Sequence, residues 1–172
     1  MVRKLRINET VNLMNFSVYN KIAILGYKCS LAANDLHHIH LCAEGDKFQE
    51  IHIDAENYMG RVRELGDLCF ELAKEADVSL INETYALKVL KDNNNFWEVE
   101  DVQSYYFTEA YETISRILSE LCDEIVAVQK MPEISSDVSS ELDTYLREFT
   151  KDVNYFIDKK LSWFILRWYI KG

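Results

Sequence analysis

A single proline, Pro132, and only five glycines interrupt a chain of 172 residues. Proline cannot continue a helix and glycine weakens one, so their scarcity favours long helices over a many-stranded sheet with tight turns. The apolar pattern agrees. Between about Asn8 and Ala43, Val11, Met14, Val18, Ile22, Leu25, Cys29, Ala32, Leu36 and Ile39 recur every three or four positions. That is the period of an amphipathic helix. Glu44-Gly45-Asp46 supplies a stop, with Gly45 suited to a left-handed cap.

A second helix is expected over 47–76. A third, over 103–130, carries Ile114, Ile117, Leu118, Leu121, Ile125 and Val128 in register and is ended by Met131-Pro132. Ser135, Ser136 and Asp137 offer N-caps for a fourth helix over 135–170. There Leu142, Leu146, Phe149, Val153, Phe156 and Phe164 keep phase, and Lys160 interrupts the stripe with an ammonium expected to snorkel. Between the second and third helices lies a crossover, with a short helix over 84–90 and a loop at Asp92–Asn95. Two helices, a long crossover and two more helices make an all-α single domain over residues 1–172. That order is expected of the ferritin-like four-helix bundle rather than the up-and-down one, with another four-helix topology as the alternative.

The formal charge of −10 argues against a surface built to neutralise nucleic-acid phosphates. The one compact basic segment, with Arg3, Lys4 and Arg6, is short. Cys29, Cys42, Cys69 and Cys122 show no CxxC spacing and read as free thiols of a reducing compartment. No apolar leader or membrane-length run is evident, so no membrane partner is expected and the expected location is cytoplasmic. The aromatic stretch Trp163–Ile170 is too short to span a bilayer and is broken by Arg167.

The second helix carries a polar stripe. His52 and Glu56 are four apart, as are Asp67 and Glu71, and at ~100° per residue Glu56 and Asp67 point within ~20° of each other. His40, at the end of the first helix, can fold back towards His52. Imidazole with carboxylate is a ligand set for iron, zinc or manganese. Glu56 and Asp67, however, are separated by ~16 Å of helix, too far for one ion in one chain. Antiparallel pairing of two chains about an axis near residues 61 and 62 would bring His40, His52 and Glu56 of one to Asp67 and Glu71 of the other. Gly60, close to that axis, has no side chain to prevent close approach.

The stretch from His40 to Ala73, HLCAEGDKFQEIHIDAENYMGRVRELGDLCFELA, resembles the signature of the Dps-like miniferritins, the DNA-binding proteins from starved cells. The matching positions are His40, Gly45, Phe48, His52, Glu56, Asp67 and Glu71, without a gap. More weakly, residues 137–142 and 158–163 resemble the start and end of that family's fourth helix. The resemblance implies a hollow homo-oligomer, a dodecamer built from two-fold dimers, with ferroxidase sites between subunits. Such proteins oxidise ferrous iron, often with hydrogen peroxide, store the ferric product and so protect against oxidative stress. Iron is then the expected metal, with zinc as a substitute, and Asp137 and Glu141 would line an entry pore. Leu41 stands where the family usually has Trp, Glu56 replaces the usual Asp, and no lysine-rich tail is present. The first two departures leave a non-catalytic cage or scaffold as an alternative; a DNA-compacting protein is the other alternative, which the −10 charge and the missing tail weigh against.

Other candidates read as structural. His37 and His38 point ~100° apart on a helix, so at most one shares the face of His40. Tyr105, Tyr106 and Tyr111 are expected in core and interface, and Trp163 and Trp168 in packing. No GxSxG element, P-loop or dinucleotide turn occurs.

Overall fold

The computed structural model describes residues 17–92 and 101–171. It is helical throughout, in the order α1 (Val18–Cys42), α2 (Phe48–Glu75), α3 (Glu83–Asp92), α4 (Phe107–Gln129), α5 (Ser136–Lys151), a π-helical segment Asp152–Ile157, and α6 (Asp158–Lys171). The last three follow one another without a break, so the expected fourth helix is one long rod with a widened turn inside it. The described residues contain no strand, and one isolated bridge joins Ala43 to Tyr105. No helix among them is long and apolar enough to cross a membrane.

Helix ends differ from the sequence expectation for local reasons. Ser17 is extended, and its hydroxyl accepts from Asn20 N at 3.1 Å, so α1 starts at Val18 instead of running through from residue 8. Residues 8–16, the basic segment at Arg3–Arg6 and the loop at 93–95 lie outside the described residues. The third long helix starts at Phe107 rather than 103 because Tyr105 is pinned elsewhere. Its N–H donates to Cys42 O at 2.8 Å and its carbonyl accepts from Glu44 N at 2.9 Å. The cap of α1 is the extended Ala43; Gly45 takes its positive φ of 87° two residues later, inside the turn. Ser135 caps α5, accepting from Val138 N at 3.3 Å, as one of the expected candidates.

One core is shared by all four long helices. Leu36 and Ile39 of α1, Ile51 and Leu65 of α2, Ile114, Leu118 and Leu121 of α4, and Leu142 and Phe149 of α5 are all fully buried within it. Burial of each such side chain contributes roughly 1.5–3 kcal/mol. α1 and α2 pack closely because glycines face the partner helix: a Cβ at Gly66 would lie 3.1 Å from Cys29 Cβ, and one at Gly26 would lie 2.7 Å from the Phe70 ring. Cys29 and Cys69 are buried free thiols, while Cys42 and Cys122 are half-buried. A satellite cluster of Tyr27, Ala86 and Leu90 docks α3, and Tyr27 Oη donates to Ile81 O at 2.9 Å.

α2 meets the last helical rod through a ladder of polar groups. Arg61 bonds Glu148, with Nε to Oε1 at 2.7 Å, and Tyr58 bonds Asp152. Lys160 Nζ reaches Glu50 at 2.8 Å and Asp54 at 2.5 Å. The ladder explains the π turn. From Arg61 back to Glu50 is 11 residues and from Glu148 on to Lys160 is 12. In a regular α-helix, 12 residues would leave Lys160 rotated by ~120° from Glu148. A π turn absorbs one residue and returns Lys160 towards α2. The snorkelling expected of Lys160 therefore gives way to ion pairing between helices.

Asp152, in that π turn, has its carboxyl pushed above the usual range by burial and by nearby Glu148. A carboxyl whose folded pKa is raised costs stability above that pKa, and the cost fades as pH falls below the unfolded value. Asp152→Asn keeps an acceptor for Tyr58. It is expected to stabilise the protein at about pH 7 by under about 1 kcal/mol, since the group is partly solvated. The gain should vanish near pH 3, and urea unfolding at the two pH values measures both.

Candidate metal centre

The short turn between α1 and α2 places two imidazoles face to face. The His40 and His52 rings stack with centroids 3.7 Å apart and planes 24° from parallel. Each ring is held by the other residue's backbone: His40 Nδ1 donates to His52 O at 3.0 Å, and His52 Nδ1 donates to His40 O at 2.9 Å. The His40 carbonyl lies in the last turn of α1, where helix carbonyls lack intrahelical partners, so the His52 ring also serves as a cap. Because a carbonyl can only accept, both Nδ1 atoms carry the proton. In the neutral ring this tautomer leaves the lone pair on Nε2, the atom through which imidazole binds a metal.

Neighbouring contacts fix the turn itself. The Phe48 ring tilts against His52 at 5.6 Å while remaining half exposed. His38 Nε2 donates to Val102 O at 2.6 Å, and its ring meets Tyr105 edge-on at 5.9 Å. His38 is thus a structural tie between α1 and the segment leading into α4. His37 is exposed and stacks at 5.9 Å on His40. Leu41 is 64% exposed and Ile53 is 48% exposed, each next in sequence to one of the two histidines.

The carboxylates of the stripe are all exposed: Glu56, Asp67 and Glu71. Asp67 lines a cleft of about 360 Å³ beside Asn34, Arg63 and Glu83, away from the α1–α2 turn. Among the described residues no three His, Cys, Asp or Glu side chains converge as a metal site within one chain. The structure thus brings His40 and His52 together and leaves Glu56, Asp67 and Glu71 facing outward along α2. Gly60, between the two groups, is unlike Gly26 and Gly66: a Cβ there would meet nothing within 4 Å. Nothing among the described residues requires its lack of a side chain, although glycine inside a helix costs roughly 0.5–1 kcal/mol. Asp137 and Glu141 are exposed in the first turns of α5.

Sequence reasoning missed a second set of polar residues. Tyr111 is fully buried, its Oη donates to Asp54 at 2.5 Å, and Lys160 Nζ lies 3.1 Å from the same oxygen and over the ring. Burial and the Asp54 carboxylate push the Tyr111 hydroxyl far up, so it stays a neutral donor. The signal was present as Glu50, Asp54, Tyr58 and Arg61, spaced at four, four and three. This stripe lies roughly opposite the His52–Glu71 stripe. Trp163, expected to pack, is instead 64% exposed, and the Trp168 side chain lies outside the described set. The chain matches no protein-family model, and no curated protein matches it.

Proposed function

We propose that the chain is a ferritin-like miniferritin of the Dps type that oxidises ferrous iron and stores the ferric product. The observation that carries this reading is the pair of reciprocal Nδ1 hydrogen bonds, which leave Nε2 of two imidazoles, at one turn, as the nitrogen each neutral ring can offer a metal. Such carbonyl-held imidazoles are how proteins prepare histidine for a metal. The element order also supports it: two long helices, a crossover with a short helix, and two more long helical stretches.

In this reading, ferrous iron is the substrate. His40 and His52 contribute neutral nitrogen donors, Glu56 adds a charge, and Asp67 and Glu71 come from a second copy paired antiparallel along α2. The unoccupied space at Gly60 leaves room for that pairing. Carboxylates neutralise the cation and favour the higher oxidation state. With hydrogen peroxide as oxidant, two ferrous ions each give one electron, the O–O bond breaks, and with two protons two waters leave. A dodecameric cage would hold the ferric product, with Asp137 and Glu141 as cation guides at an entry pore. The free thiols fit a reducing, cytoplasmic setting.

Anaerobic ferrous titration followed by peroxide tests the reading through ferric absorbance. Wild type should oxidise iron well above the buffer rate, and zinc should compete for the same Nε2 donors. If wild type is no faster than buffer, the protein is a non-catalytic scaffold of the same fold.

A further inference from the structure

The last turns of α1 carry His37, His38 and His40, and the fold treats each differently. His38 is engaged at both ring nitrogens: Nε2 donates to Val102 O at 2.6 Å, and Cys42 Sγ lies 3.7 Å from Nδ1. His40 is locked to His52 by the paired backbone bonds. His37 is exposed and, among the described residues, has no hydrogen-bond or ion-pair partner. Its ring nevertheless stacks on His40, with centroids 5.9 Å apart and planes 25° from parallel. His40 therefore touches two other imidazoles, one from its own helix and one from α2.

We infer that His37 is a third nitrogen donor at this turn, so that His37, His40 and His52 of one chain capture a divalent transition-metal ion of the zinc class. The inference deepens the proposed metal centre and rests on that reading for His40 and His52; His37 is new to it. Spacing is the first argument. Residues three apart on a helix are surface neighbours, their Cβ atoms ~5–6 Å apart, and helical metal proteins use paired ligands at i and i+3. Freedom of the ring is the second. Among the described residues no three such side chains converge, so His37 must turn before it can share an ion. An exposed ring without a polar partner changes rotamer fast and gives up only a stacking contact. Donor chemistry is the third. Imidazole nitrogens suit zinc, copper, nickel and iron, whereas magnesium and calcium need oxygen donors. Three nitrogens also leave a tetrahedral ion one open position, for water or for a carboxylate of the second copy.

The test uses the full chain and zinc alone, with neither iron nor peroxide, in excess magnesium to occupy exposed carboxylates. In ring-nitrogen NMR, stoichiometric zinc should shift the resonances of His37, His40 and His52 far more than those of His38. In calorimetric titration, His37→Asn should bind zinc at least ~10-fold more weakly than wild type, since losing even a ligand's hydrogen-bonded support costs about 10–100-fold. His37 is no part of the core, so circular dichroism should be unchanged. His37→Cys, which returns a zinc donor to the position, should recover most of the lost affinity. An unshifted His37 resonance, or equal zinc affinity in wild type and His37→Asn, would overturn the inference. Should peroxide-driven iron oxidation fail while all three rings bind zinc, the functional reading falls and the three-imidazole site stands. Should iron be oxidised while zinc leaves His37 untouched, the reading stands and the third donor falls.

Discussion

Mixed after dissociation and reassembled, the His52→Ala and Asp67→Ala variants should recover about a quarter of the wild-type rate of ferrous oxidation. Each variant alone should be slower by on the order of 10²-fold or more, because each removes a first-contact donor from every site. The quarter follows from the proposed symmetry. Random reassembly makes half the pairs mixed, and each mixed pair has one site with both His52 and Asp67 intact and one with neither. A site contained in a single chain would recover nothing, because no subunit in the mixture carries both groups. The structure makes the test worthwhile for a specific reason. His40 and His52 are prepared as donors within one chain, while no third His, Cys, Asp or Glu among the described residues converges on them. The distance along α2 from Glu56 to Asp67, ~16 Å, cannot be closed by side-chain rotation. Recovery near a quarter would establish the shared site; no recovery, with both parents inactive, would overturn it.

The readability of this chain from its sequence divides along the length scale of the interaction involved. The helices were legible because their apolar period is local and strong, as with Ile114, Leu118 and Leu121, which the structure buries completely. Helix ends were less so. Ser17 and Tyr105 stop their helices through particular hydrogen bonds, one to a residue three away and one to the α1–α2 turn, and neither bond leaves a periodic trace. The face-to-face approach of His40 and His52 could be anticipated because both flank a short turn. Their reciprocal backbone bonds could not, since ring orientation depends on the exact path of residues 43–47. Lys160 shows the limit most plainly. A lone lysine in an apolar stripe reads as snorkelling, and its partners Glu50 and Asp54 lie more than 100 residues earlier. Only the π turn, itself invisible to a fixed 3.6-residue period, swings it round to meet them.

Asp54→Ala is expected to destabilise the fold by about 2–3 kcal/mol, more than an exposed ion pair is worth and less than a fully buried one. The intermediate figure reflects burial. The Asp54 and Lys160 side chains retain 27% and 31% of their exposure, so water offsets part of the loss, whereas Tyr111 is fully buried and its hydroxyl loses its acceptor. In urea the shift would be about 1 M at a slope of ~2 kcal/mol per M. Lys160→Met alone should cost about 1–2 kcal/mol by leaving the two acids, Glu50 and Asp54, side by side. The double variant decides what the ladder is for. Once both charges are gone, no unpaired ion is left, Glu50 can turn to solvent, and the methionine can fill apolar space; the cost should be no larger than that of Asp54→Ala alone. If instead the single costs simply add, the ion pair has no mutual energy and the rods are held by the apolar core alone. Hydrogen exchange over residues 152–157 adds an independent reading. If the ladder is what draws Lys160 back to α2, its removal takes away the reason for the extra residue in the turn, and protection across the π segment should fall in the double variant even where global stability is no lower than in Asp54→Ala.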